Sequence, residues 1–402
     1  MTSQAHVVII GGGATGAGVA HDLALRGLRV TLLERGELTS GTTGRHHGLL
    51  HSGARYAVGD KEAGIECIRE NQILRRIAPG SFEENGGLFV ALTDEDMDYL
   101  HPFLDACEAC GIPATAYRPE AALQMEPSLN PQVKVAVEVP DATVDPMRLV
   151  LRFFATARRN GADLRTFTEV TGLARTGRTV CGVMAHDLVT ERDYELSADL
   201  VVNAAGPWSG QVGDLAGVTV PMQLSPGVLL ALRGRFCGRV LNRLHKSADG
   251  DIIVPQRGLS VVGTSSWVVE DPDVPPVPAD HVARMYTEGS KLIPAIATAE
   301  RRSAWSAVRP LVGAMDSGGG AASTGRELSR TFQCFDHKRT EGVEGLVTIT
   351  GGKATTLRAM AEAAADVVCA KLGIDATCRT AGTILAPHGA YYTERGERYG
   401  RD

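Results

Sequence analysis

The chain has 402 residues, a formal net charge of −6 and a pI near 6.0, so no basic surplus argues for a nucleic-acid partner. Apolar residues make up 44% and charged residues 22%, ordinary for a globular protein with a real core, and the length suffices for two domains. The apolar run Val7–Ile10 is too short to span a membrane and the start has no basic n-region, so a cytoplasmic protein is expected, with peripheral contact at the inner face of the membrane left open.

The opening HVVIIGGGATGAGVAHDLALRGLRVTLLERG reads as strand, Gly-rich turn, helix and second strand. Gly11, Gly13 and Gly16 fit G-x-G-x-x-G. They serve, in turn, a tight turn, close backbone approach to a pyrophosphate, and helix–strand packing. The helix start then faces the phosphates with free N–H groups and its dipole. The second strand ends at Glu34, 18 residues after Gly16, where a carboxylate accepts from ribose hydroxyls. With these features in register the segment predicts dinucleotide binding without separating a nicotinamide from a flavin.

GRHHGLLHSGARY follows and holds His46, His47 and His51. Three readings stand: packing around a cofactor, a proton role for His51 or His47, and covalent attachment. A metal would want carboxylate or cysteine company, and no metal site is predicted. Residues 60–80 have helical periodicity and stop at Pro79-Gly80, and residues 86–92 read as a strand. CEAC at 107–110 has C-x-x-C spacing inside a helix-like run. The eight cysteines are scattered, so the pair reads as structural thiols ahead of a redox or metal role.

Residues 145–162 read as a helix ended by Gly161, followed by a β-rich meander. ADLVVNAAGPWSGQVGDLAG at 198–217 reads as a buried strand, a small-residue turn and a helix. Strands are expected within 227–234 and 251–265, a loop at 272–278 and a helix over 280–293. Residues 313–327 are densest in Gly, Ser and Ala and read as a mobile loop. GLVTITGGKATTLRAMAEAAADVVCAKLG reads as strand, Gly turn and long helix, and the polar end reads as a frayed tail.

Two segments decide the cofactor. VVNAAGPWSG resembles the strand–turn of flavoproteins that passes beside the cofactor, and TITGGKATTLRAMAE resembles their C-terminal strand–GG–helix. Gly351 and Gly352 let backbone approach a flat ring, and the helix dipole stabilises negative charge on it. FAD is therefore expected. Its contacts are expected from Gly11, Gly13, Ala14, Thr15, Gly16, Glu34 and Arg35, then from Thr42, Thr43, Arg45, His46, His47, Gly48 and Leu49. Further contacts are expected from Val170, Ala205, Gly206 and Trp208, and from Gly351, Gly352, Lys353, Ala354 and Thr355.

Together with GTTGRHHGLLHSGARYAV, NQILRRIAP, VPDATVDPMRLV, SAVRPLV and LSR, these segments make the chain resemble the FAD-dependent glycerol-3-phosphate dehydrogenase family. The likeness is strongest to the catalytic subunit of the anaerobic, multi-subunit bacterial form. It implies oxidation of sn-glycerol 3-phosphate to dihydroxyacetone phosphate, with hydride transfer from C2 to the flavin and electrons passed to a quinone or a partner subunit. It also implies that Arg55, Tyr56, Arg309, Arg330 and Lys353 surround the substrate; the residues' own chemistry adds the expectation of catalytic roles for Arg309, Lys353 and His51. Guanidinium forks suit a phosphate dianion, and oxidising an alcohol needs a base.

Two departures stand out. Some family members carry a histidine just before the I-V-V-P strand, where this chain has Asp251, so a histidine base is not expected there. The anaerobic form also implies a Cys-rich C-terminal extension for an iron–sulfur cluster, which is not within these 402 residues.

The expected fold class is α/β: a Rossmann-like FAD-binding domain of the glutathione-reductase/D-amino-acid-oxidase type with a second, antiparallel-sheet substrate (cap) domain. Segments 1–80, 145–215 and 331–380 are assigned to the first domain, 81–144 and 216–330 to the second, and 381–402 to a flexible tail. Rival readings are an oxidase or dehydrogenase of another polyol phosphate, of a 2-hydroxy acid or of a glycine- or sarcosine-type amine, and a flavin-binding subunit without turnover.

Overall fold

His6–Ile10 is buried along its whole length, as a strand covered on both faces must be. It lies inside a six-stranded sheet in the computed structural model, which describes residues 4–273, 275–312 and 331–393. Across that sheet the strands run Phe332–Asp336, Leu346–Gly351, Leu200–Asn203, His6–Ile10, Arg29–Leu33 and Asp163–Arg165. All neighbours are parallel except the antiparallel edge strand Phe332–Asp336. The period of two sorts the side chains. Val7 and Ile9 join one apolar cluster with Leu23, Phe153, Phe154 and Ala364, from helices Ala14–Leu25, Pro146–Arg159 and Leu357–Leu372. Val8 and Ile10 face the other way, onto Val180 and Val183 of the meander Thr168–Thr176, Thr179–Asp187 and Arg192–Ser197. This doubly covered parallel sheet is the Rossmann-like part of the expected α/β fold.

The second large sheet has eight strands. Its order is Arg301–Leu311, Gln223–Arg233, Leu259–Gly263, Ile252–Gln256, Val240–Arg243, Gly87–Ala91, Val135–Val139 and Thr115–Tyr117. Only the junction of Val240–Arg243 with Gly87–Ala91 is parallel. One face, through Leu88, Leu230, Ile253 and Val262, packs on Val282, Met285 and Leu292 of helix Ala279–Leu292. The expected antiparallel second layer is thus present.

Local signals placed most helices well. Asp60 caps Lys61–Ile77 by accepting from Ala63 N–H, and Asp145 caps Pro146–Arg159 by accepting from Arg148 N–H. Residues 251–265 hold two strands, not one, folded as a hairpin with Arg257 at φ 53° in its turn. Strand Arg301–Leu311 has no clear apolar alternation of its own. It forms because Gln223–Arg233 offers it an eleven-residue antiparallel partner.

The tail reading needs correction at its start. Leu385 and Tyr391 are buried in the first apolar cluster, the Leu385 N–H donates to Ile77 O at 2.8 Å, and the Arg158 guanidinium stacks on Tyr391. Apolar residues inside a polar stretch found a groove that composition does not show. Residues 394–402 and the Gly-rich 313–327 lie outside the described residues.

Candidate active site

Contact forces glycine at the turn after the first strand. Gly11 has φ +111°, and a Cβ there would stand 2.6 Å from Ala204 O. At Gly16 a Cβ would stand 2.0 Å from Gly11 O. The turn therefore lies hard against helix Ala14–Leu25, which starts after Gly13 with no side-chain cap. Glu34 closes the turn from the second strand. Its Oε2 accepts from Gly12 N–H at 2.6 Å and its Oε1 from Gly36 N–H at 2.7 Å.

Gly11, Gly13 and Glu34 border a cavity of about 1500 Å³. That exceeds the roughly 300–1,000 Å³ of a site for one drug-sized ligand, so a dinucleotide fits with a small molecule beside it. Gly11, Gly13, Ala14, Thr15, Glu34, Arg35, Thr42, Thr43, Arg45, His46, His47 and Leu49 line it. So do Val170, Ala205, Gly206, Trp208, Gly351, Gly352, Lys353 and Ala354.

Gly16, Gly48 and Thr355 stand behind that wall. Gly16 sets the turn's closeness. Gly48, at φ +80°, has the Gln256 amide and Val144 O where a Cβ would go. Thr355 Oγ1 accepts from His51 N–H at 3.1 Å. The residues present fit FAD. A helix N-terminus beside three glycines, its first N–H meeting Thr43 Oγ1 at 3.0 Å, suits a pyrophosphate, and the strand-end carboxylate suits a ribose. Gly351 (φ +86°) and Gly352 (φ +67°) suit close approach of a flat ring.

At one rim Asp273 Oδ1 accepts from Arg35 Nη2 at 2.6 Å and from Trp208 Nε1 at 2.7 Å, while Arg35 lies 4.8 Å from the Trp208 ring centroid. A different group of cavity residues carries the charge. Arg55 Nη2 donates to Asp251 Oδ1 at 2.6 Å, with side-chain exposures of only 9% and 3%. Lys353 Nζ meets Glu66 Oε2 at 3.2 Å and lies 5.4 Å from the centroid of the Tyr56 ring. Arg309 is fixed by strand and loop. Its Nε donates to Ser225 O, and its Nη2 to Pro226 O, Ser265 O and Ser266 Oγ, each at 3.0 Å. Arg330 lies outside the described residues.

The histidines join this group. The rings of His46 and His47 stand 6.1 Å apart, those of His47 and His51 6.0 Å, and His51 lies 5.3 Å from Tyr56. Burial is the main cause that pushes His46 down to about 4 and His47 down to about 3, with His46, Arg55 and Arg309 adding to the latter. Burial, then His47, Arg55 and Lys353, hold His51 well below its ordinary value. All three rings are therefore neutral at neutral pH. The N–H groups of Gly48 and Leu49 donate to Nδ1 of His46 and of His47, which leaves the proton of each ring on Nε2.

Three carboxylates that sequence reasoning leaves out of the site belong here. Glu66 holds Lys353, Asp273 spans Arg35 and Trp208, and Asp251 holds Arg55. In the sequence Asp251 stands out only as the residue that displaces a histidine. The partners of these carboxylates lie 287, 238 and 196 residues away, and no local pattern signals such pairs. Cys107 and Cys110 are buried away from the cavity, and burial raises both thiols, Cys107 to about 12. Among the described residues no helix is long and apolar enough to cross a membrane.

Residues 6–367 match the family described as FAD dependent oxidoreductase. The chain is 45% identical over 386 residues to one of the subunits of the anaerobic glycerol-3-phosphate dehydrogenase of Escherichia coli (strain K12), covering 96% of this chain and 70% of that one. Its fold is similar to that of the glycerol-3-phosphate dehydrogenase from Bacillus halodurans complexed with FAD (TM-score 0.72, 24% identity, 98% and 71% of the two chains). It is also similar to that of glycine oxidase from Bacillus cereus (TM-score 0.70, 23% identity, 92% and 96%). The architecture is thus shared by enzymes of different substrates.

Proposed function

This chain belongs to the FAD dependent oxidoreductase family and, within it, to the glycerol-3-phosphate dehydrogenases, and from that premise we propose that it oxidises sn-glycerol 3-phosphate to dihydroxyacetone phosphate. One observation carries the substrate assignment: Arg55, Arg309 and Lys353, from three separate elements, border one cavity together with neutral His51. A carboxylate is satisfied by one guanidinium fork, whereas a phosphate dianion takes more positive charge. The cation set therefore favours a phosphate over a glycine-type or 2-hydroxy-acid substrate.

Bound FAD supplies the acceptor for the hydride leaving C2 of the alcohol. The chain's own residues do the rest. Arg55, Arg309 and Lys353 bind the phosphate, with the Tyr56 ring between Lys353 and His51 as a wall. Arg309 and Lys353 also put positive charge where negative charge develops. His51 takes the C2 hydroxyl proton: it borders the cavity, and burial keeps its imidazole unprotonated. Thr355 Oγ1 fixes the backbone of His51. In this reading the six-stranded sheet carries the cofactor domain and the eight-stranded sheet the substrate domain. Electrons leave to a quinone or to a partner subunit, and the relative's own standing as one subunit of its enzyme supports an assembly of several chains. Such a partner fits a cytoplasmic protein docked at the inner face of the membrane.

The test is anaerobic titration of the flavin-loaded protein with sn-glycerol 3-phosphate, erythritol 4-phosphate, glycine and 2-hydroxyglutarate while the flavin band is followed. Bleaching by glycerol 3-phosphate alone is expected. Bleaching by glycine or 2-hydroxyglutarate instead would remove the phosphate assignment.

A further inference from the structure

Asp251 stands where three pieces of chain meet. Its Oδ1 takes the Arg55 Nη2 hydrogen at 2.6 Å, and its Oδ2 takes the Ala248 N–H at 2.9 Å. Its own carbonyl accepts from Arg243 N–H at 3.0 Å, where the strands Val240–Arg243 and Ile252–Gln256 pair. The carboxylate is thus gripped by its own hairpin and cannot follow Arg55 if that side chain swings. Arg55 sits on the short helix Ala54–Ala57, and Asp251 is its one hydrogen-bond partner among the described residues. Arg55 itself lines the cavity, and its other guanidinium N–H groups make no hydrogen bond among the described residues. A guanidinium is a planar fork, so fixing one corner fixes the direction of the remaining donors.

We propose that Asp251 is a positioning residue for substrate binding: it acts through Arg55, holding the guanidinium in the orientation that receives the phosphate group. The proposal rests on the glycerol 3-phosphate reading. Asp251 does not touch substrate. It replaces the freedom of a long side chain with one fixed geometry, so its effect falls on affinity and not on the chemical step. The partial neutralisation of Arg55 by Asp251 also matters. A lone buried guanidinium would attract any anion, whereas the paired one keeps its directional donors and a weaker general field.

The experiment uses the FAD-loaded protein and compares wild type, Asp251→Asn, Arg55→Met and the double variant in steady-state oxidation of sn-glycerol 3-phosphate with an artificial dye acceptor. Asparagine can still accept from Ala248 N–H but loses the charge that holds Arg55. Asp251→Asn is expected to raise KM by about tenfold while kcat stays within about twofold and the flavin spectrum is unchanged. In the Arg55→Met background the same substitution should change KM by less than about twofold. Should Asp251→Asn alone not fold, the double variant, which removes both buried charges, is compared with Arg55→Met. Equal KM values support the proposal, and a further rise of about tenfold overturns it. An unchanged KM in the single variant also overturns it. Failure of the wild type to oxidise glycerol 3-phosphate would sink the functional reading itself, an outcome distinct from either.

Discussion

The wall of the cavity that suits a pyrophosphate is built mainly from main chain: Gly11, Gly13 and Gly16 at the end of one strand, the start of a helix, and Gly12 N–H tied to Glu34. The charged wall is built from ionised side chains, each held by a partner far away in the sequence: Arg55 by Asp251, Lys353 by Glu66. At Gly11 and Gly16 the first wall tolerates almost no added volume, because the contacts there are backbone to backbone. The second tolerates volume but not loss of charge, because a buried ion left without its partner is costly. The cofactor region is therefore vulnerable to sterics and the charged region to electrostatics.

Gly16→Ala attacks the first wall and should have the largest effect. With Gly11 O 2.0 Å from the new Cβ, helix and strand must part. Most of the bound flavin should be lost, with a stability cost of at least about 3 kcal/mol, read by flavin absorbance after gel filtration and by thermal melting. Retention of flavin with an unchanged Tm would break the contrast.

Glu70→Gln tests the brace beneath the second wall. Helix Lys61–Ile77 carries Glu66 and Glu70 one turn apart, and Glu70 binds Arg358 through both oxygens at 2.6 and 2.8 Å with both side chains 1% exposed. Arg358 keeps Glu362 at 2.8 Å as a second partner, so removing the Glu70 charge should cost about 3 kcal/mol, the low end for a broken buried pair, in chemical denaturation, yet leave the flavin spectrum of the folded fraction as it was. Arg309→Lys comes next. It keeps the charge but loses the fork that Ser225, Pro226, Ser265 and Ser266 hold in place, so the charge is no longer fixed and KM for glycerol 3-phosphate should rise about 100-fold, near 3 kcal/mol, with FAD still bound. A KM within about threefold of wild type would take Arg309 out of phosphate binding.

The smallest effect lies outside both walls, under the cofactor helix. His21 is 0% exposed, has no hydrogen-bond partner for either ring nitrogen among the described residues and packs edge-on against Phe153; burial pushes it from 6.5 down to about 4. A lowered folded-state pKa means the unfolded chain binds the proton more readily. The stability is therefore present above pH 6.5 and is lost progressively as pH falls toward 4. Between pH 7 and pH 5 wild type should lose about 2 kcal/mol more than His21→Leu, measured by urea unfolding at each pH. Parallel losses in the two proteins would show that His21 is protonated in place.

Legibility in the sequence follows the same division. The glycine turn, Glu34, the helices over 60–80 and 145–162 and the Gly351–Gly352 turn are readable, since each rests on sterics or periodicity spanning a few residues. The cations emerge through family resemblance, as arginines and a lysine inside short motifs. Their carboxylates do not. In the sequence Asp251 is an oddity and Glu66 one more polar residue on a helix. The strand Arg301–Leu311, which delivers Arg309, escapes sequence reading because its burial depends on a neighbouring strand and not on its own alternation.

By itself, then, the sequence determined the α/β class, the dinucleotide turn and the residue types that could meet a phosphate. Steric rules and hydrophobic periodicity act over one or two turns of chain, and those are written locally. Which of 41 basic residues meets which of 47 acidic ones was decided only when the sheets packed. An ion pair has no sequence spacing of its own: it forms wherever topology brings two side chains within a few ångströms and excludes water. Asp251 lies 196 residues from Arg55 in the chain and 2.6 Å from it in the fold.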